Sequence, residues 1–141
     1  MKRFLTAAAL AAFALARPGM ALAGMGVTLD HGSVWQTNKV GDSTQGFLEI
    51  HNAGDAVDVL TGWDCSIADS TLLVGADGKK LTSLAIPAGQ TVTLTENGPH
   101  LLLQETHYTV DYGSVVPCAF TFQEAGDIGG YLNAAPAPAG N

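Results

Sequence analysis

A chain of 141 residues with thirteen acidic residues, six basic residues and two cysteines has the size of one domain plus a leader. Lys2 and Arg3 lead into an apolar run from Phe4 to Ala16 and a small-x-small triplet, Ala21-Leu22-Ala23, so residues 1–23 read as a secretory signal and the mature chain is expected to start at Gly24. What then remains sets three lysines (Lys39, Lys79 and Lys80) against thirteen carboxylates, a net charge of −10, which argues against nucleic acid and anionic membrane as partners.

The apolar run of the leader is short for a membrane span, and no later stretch approaches that length, so an exported, periplasmic protein that is not integral to the membrane is expected. In chain order, Val27 to Leu29 reads as a first strand, with Gly32 to Thr37 extended around Trp35. Phe47 to His51 is a strong strand closed by the turn residues Asn52 to Asp55. Ala56 to Asp64 is expected to turn Val57, Val59 and Trp63 inward. Thr71 to Val74 is a short apolar strand, and Ala76-Asp77-Gly78-Lys79 a hairpin turn. Leu81 to Leu84 leads into Ile86.

Thr91 to Thr95 then alternates polar and apolar residues around Val92 and Leu94, and Glu96-Asn97-Gly98-Pro99 breaks the pattern. In the strand that starts at His100, Leu101 and Leu103 share one face, so His100 and Leu102 share the other. Val115 to Phe122 reads as the last strand, with Cys118, Phe120 and Phe122 on one face, and the Ala- and Pro-rich end, residues 133–141, as a flexible tail. Short strands divided by Gly, Asn, Asp and Pro, without a helical pattern in residues 24–132, predict an all-β antiparallel sandwich or barrel.

The chemistry of hydrolases is not signalled. No nucleophile elbow and no Gly-rich phosphate loop is present, and the carboxylate pair Asp55 and Asp58 reads as solvated turn residues. Cys65 and Cys118, an even number in an oxidising compartment, are expected to form a disulfide bridging two sheets; buried free thiols and copper thiolates are the alternatives. Of four histidines, His51 and His107 read as surface residues, His31 lies near the mature start, and His100 stands beside a turn on a strand face.

Trp35, FLEIHNAGDAVDVLTG (47–62), IPAGQTVTL (86–94), GPHLLL (98–103) and VPCAFTF (116–122) together resemble the periplasmic copper chaperones of the PCuAC type. The resemblance implies a cupredoxin-like Greek-key sandwich or barrel, a copper ion as cargo, a copper-accepting periplasmic or membrane-bound partner such as cytochrome oxidase, and no enzymatic activity. The family's site uses two histidines and two methionines, and soft thioethers suit Cu(I). His100 matches one of those histidines, but its methionine partner position holds Leu102. The segment before IPAG that supplies the other pair, Ser66 to Leu84, holds neither histidine nor methionine. The expectation is an altered metal site centred on His100, drawing on donors such as Asp69, Asp77 or another histidine. The alternative is an interaction module that kept the fold and lost the metal.

Overall fold

Strict alternation of apolar and polar residues produces most of the strands, and the places where it fails produce the bends. The computed structural model describes residues 26–139; the expected signal and the cleavage site after Ala23 lie outside the described residues. The strands are β1 (Val27–Trp35), β2 (Thr44–Asn52), β3 (Asp58–Cys65), β4 (Ala68–Val74), β5 (Lys80–Leu81), β6 (Leu84–Ile86), β7 (Thr91–Thr93), β8 (His100–Thr106), β9 (Val115–Phe122) and β10 (Gly126–Ala135), with no helix among the described residues. They join into one sheet in the order β5-β4-β8-β2-β1-β10-β9-β3-β6, with β7 added to β2. Because β3 runs directly into β4, the two ends of the sheet approach each other and the barrel nearly closes.

The inward faces form a single core. Leu48 and Ile50 of β2, Leu101 and Leu103 of β8, Leu60 of β3, Phe120 and Phe122 of β9 and Leu132 of β10 are all at most 2% exposed. Each such side chain contributes about 1.5–3 kcal/mol through burial. The all-β, cupredoxin-like architecture expected from the sequence is therefore the one observed.

Four details differ from the sequence reading. The sheet is antiparallel except where β1 runs parallel to β10, pairing Ser33–Trp35 with Asn133–Ala135. That pairing also moves the start of the tail, because residues 133–135 belong to β10 and the strand ends at Ala135. The strand itself escapes sequence patterning because close packing requires small residues in it. A Cβ on Gly130 would stand 2.9 Å from the Phe120 ring and 3.2 Å from Leu29, and one on Gly32 of β1 would meet the Tyr131 carbonyl oxygen at 2.0 Å.

The third difference is the phase of β3. Val57 is exposed, while Asp58 and Leu60 point inward. Asp58 is 4% exposed, and its carboxylate accepts the amide hydrogens of Val59 (2.7 Å), Glu124 (2.9 Å) and Ala125 (2.9 Å), so it pins the β9–β10 turn to β3 instead of lying solvated beside Asp55. Buried carboxylates persist only with such partners. Fourth, a register shift between Leu60 and Gly62 brings Cys65 inward opposite Cys118. The disulfide forms there, with the Cα atoms 4.2 Å apart. It links neighbouring strands of one sheet, not two sheets, at the close approach of a directly opposed antiparallel pair.

Candidate functional site

β8 divides its side chains as alternation requires. Leu101 and Leu103 are fully buried, and His100 and Leu102 are half-buried on the outer face. The turn before it is held by the Gly98 amide donating to the Thr95 carbonyl (3.2 Å) and the Thr95 amide donating to the Pro99 carbonyl (2.9 Å). His100 is thus the first residue of the strand, set against a rigid turn. Its Nδ1 lies 2.9 Å from the Gly98 carbonyl oxygen. A carbonyl can only accept, so Nδ1 carries the proton and the neutral ring keeps its lone pair on Nε2.

Cross-strand register supplies the surroundings. On one side His100 pairs with Val74 of β4, which in turn pairs with Lys80 of β5. On the other side the β2–β8 register matches Gln45 with Leu102 and Gly46 with Leu101, so the next step sets Phe47 beside His100, with ring centroids 6.3 Å apart. Trp35 of β1 meets Phe47 edge-on at 5.2 Å. Leu72 pairs with Leu102. The imidazole is therefore framed by Val74, Leu102, Phe47 and, one strand further, Trp35.

One polar atom interrupts this apolar face. Gln45 Oε1 is shielded from solvent and has no hydrogen-bond partner among the described residues. Gln45 stands directly opposite Leu102, which makes it a diagonal neighbour of His100. Leaving an acceptor of this kind unpaired costs roughly 1–3 kcal/mol. The sequence reading did not select Gln45.

The other expected donors are each hydrogen-bonded to groups other than His100. Asp69 lies toward the far end of β4, where its Oδ1 accepts from Nε2 of His107. That imidazole, and then the hydrogen bond with Glu105, hold the Asp69 carboxyl below the usual carboxylate range, while the neighbouring Asp69 raises that of Glu105. Asp77 lies in the turn after β4, at the same end as His100, and its Oδ1 accepts the Lys79 amide hydrogen at 3.0 Å. His31 donates to Glu49 (2.9 Å), and His51 is hydrogen-bonded to Thr91 (2.8 Å). Among the described residues no three His, Cys, Asp or Glu side chains are placed to hold one metal ion. His100 thus offers a single oriented nitrogen donor within an apolar surround.

Residues 27–130 match the LpqE-like family, described as "Putative lipoprotein LpqE-like". The chain belongs to this family. No curated protein matches the sequence of this LpqE-like chain. Among solved structures, it is similar to the copper-bound PCuAC domain from PmoF2 (TM-score 0.72, 17% identity, covering 79% of this chain and 94% of that one). The apo PCuAC domain from PmoF1 fits equally well (TM-score 0.72, 17% identity, 79% and 95%). The Cu(I) form of DR1885 from Deinococcus radiodurans also matches (TM-score 0.60, 19% identity, 75% and 77%). At these identities the likeness establishes a shared fold, that of the PCuAC domains. Among the described residues no helix is long and apolar enough to cross a membrane.

Proposed function

We propose that this LpqE-like protein is a non-enzymatic, periplasmic copper-handling protein whose site is centred on His100 and differs from a thioether-rich Cu(I) site. The observation that carries this reading is the orientation of the imidazole. Nδ1–H is fixed on the Gly98 carbonyl and Nε2 is left as a donor on the outer face, an arrangement by which backbone carbonyls commonly orient metal-binding histidines. The copper ion is cargo, passed to a copper-accepting periplasmic or membrane-bound protein, in keeping with the copper-bound state named for the structurally similar PmoF2 domain.

The donor set is short for copper held by one molecule. His100 supplies one nitrogen, the unpaired Gln45 oxygen is the nearest additional donor along the sheet, and Leu102 cannot ligate. A nitrogen and oxygen set of this kind favours Cu(II) over Cu(I), and it leaves positions to be filled by water or by the receiving protein. Delivery to cytochrome oxidase is one route consistent with such cargo.

Titration of the apo protein with Cu(I) and Cu(II), in parallel with His100→Ala, tests the assignment. The expected result is one copper per chain, preferentially Cu(II), lost in the variant. Stoichiometric binding that ignores the substitution would sink the site. A second reading, an interaction module that has lost its metal, is favoured by Leu102 and by the lack of a three-ligand cluster among the described residues. Failure of either copper ion to bind at micromolar concentration would establish that reading instead.

A further inference from the structure

The end of the barrel away from His100 carries features that copper handling does not use. β8 runs seven residues from His100 to Thr106, so its ends lie roughly 20 Å apart at the usual rise per strand residue. At the Thr106 end two loops are tied together. The Gly41 amide donates to the Thr106 carbonyl (2.7 Å), the Thr106 amide to the Asp42 carbonyl (3.0 Å), and the Thr37 amide to the Val110 carbonyl (3.0 Å). From these fixed loops large side chains project into solvent: Val40 is 62% exposed, Tyr108 69% and Tyr112 92%. Tyrosine held out on a rigid loop is a characteristic docking side chain, since it offers a broad apolar ring and a polar tip at little entropic cost.

The charges beside these rings point to a partner class. Glu105 stands opposite Asp69, between the Ala68–Thr106 and Ser70–Gln104 pairs of the β4–β8 register, and the half-exposed imidazole of His107 is hydrogen-bonded to Asp69. Two carboxylates thus stand together in a protein that has only three lysines among its described residues. We propose that this end of the barrel, which carries Tyr108, Tyr112 and the Asp69–Glu105 pair, is a docking surface for an arginine-bearing protein partner. A guanidinium suits both halves of the surface, because it stacks on tyrosine faces and forms forked hydrogen bonds to carboxylates. A second copy of this chain brings the same excess of acid and is a poor complement, as is an anionic bilayer.

The surface is independent of copper, and its test is chosen accordingly. The 15N-labelled protein is titrated with an octa-arginine peptide and followed by amide chemical shifts. The largest shifts are expected at residues 39–42, 69 and 105–114. The double variant Tyr108→Ser/Tyr112→Ser, which alters only exposed side chains, should bind at least tenfold more weakly. The control Asp55→Asn/Glu124→Gln, which removes two acids elsewhere, should change affinity less than twofold. Shifts spread evenly over the acidic turns, full binding by the tyrosine variant, or self-association of the parent through these loops would each overturn the proposal.

Discussion

The two ends of β8 share a backbone and an inner face yet differ in chemistry. At its start His100 sits among Val74, Leu102 and Phe47, with Nδ1 bonded to the Gly98 carbonyl; at its finish Glu105 and His107 bracket a buried threonine and join a cluster of ionisable groups. Alternation decides which residues leave the core, but it does not decide what they meet outside. That depends on strands distant in sequence. β4 brings an apolar neighbour to one end and a carboxylate to the other.

The strongest way to break the comparison is to attack what the ends share. Leu103→Ala removes a fully buried side chain on the inner face, and its expected cost is about 2–5 kcal/mol by denaturant unfolding. Both ends should lose structure in one transition; separate transitions would show that they are independent units. Leu102→Met sharpens the contrast by adding a thioether on the outer face beside His100. It should raise Cu(I) affinity at least tenfold, about 1.4 kcal/mol, without altering the far end. An unchanged Cu(I) constant would mean that copper does not sit against this face.

Gln45→Leu tests whether the apolar end tolerates its unpaired oxygen for a reason. Removing that acceptor should stabilise the fold by roughly 1 kcal/mol and, if the oxygen helps to hold copper, weaken Cu(II) binding. Stability gained with copper binding untouched would make Gln45 a structural residue only.

Glu105→Gln should give the smallest effect. Glu105 titrates above the usual range because of Asp69, so its folded pKa exceeds its unfolded one. Its favourable contribution is complete below the ordinary glutamate pKa and is lost as pH rises through the folded value. The variant should therefore melt slightly higher than the parent at pH 7, and the gap should close as pH falls into the glutamate range. Asp69 works in the opposite sense: its pKa is lowered, first by His107, so its contribution is present at neutral pH and fades as pH falls through its folded value.

Much of the fold was legible because β2, β8 and β9 alternate cleanly around large apolar residues. β10 was not, since it replaces such residues with glycines that fit against Phe120 and Leu29, and packing of that kind leaves no periodic signal. β3 misled for another reason: its buried residue is Asp58, satisfied by amides of the β9–β10 turn that lie more than sixty positions away. At the site, His100 and Leu102 were placed on the correct face by parity alone. The separation of Asp69 from His100 and the isolation of the Gln45 oxygen required the strand register.

The placement of β10 also bears on how the chain acquires its structure. The last of the described strands is an interior strand of the sheet, seated between β1 and β9 and pairing Ser33 with Asn133, a hundred positions apart. A polypeptide emerging amino-terminus first therefore holds β1 and β9 with open edges until residues 126–135 are released. Topologies dominated by such distant pairings fold slowly, in milliseconds to seconds. Throughout that interval the nascent chain presents unpaired strand edges to any neighbour able to add to them.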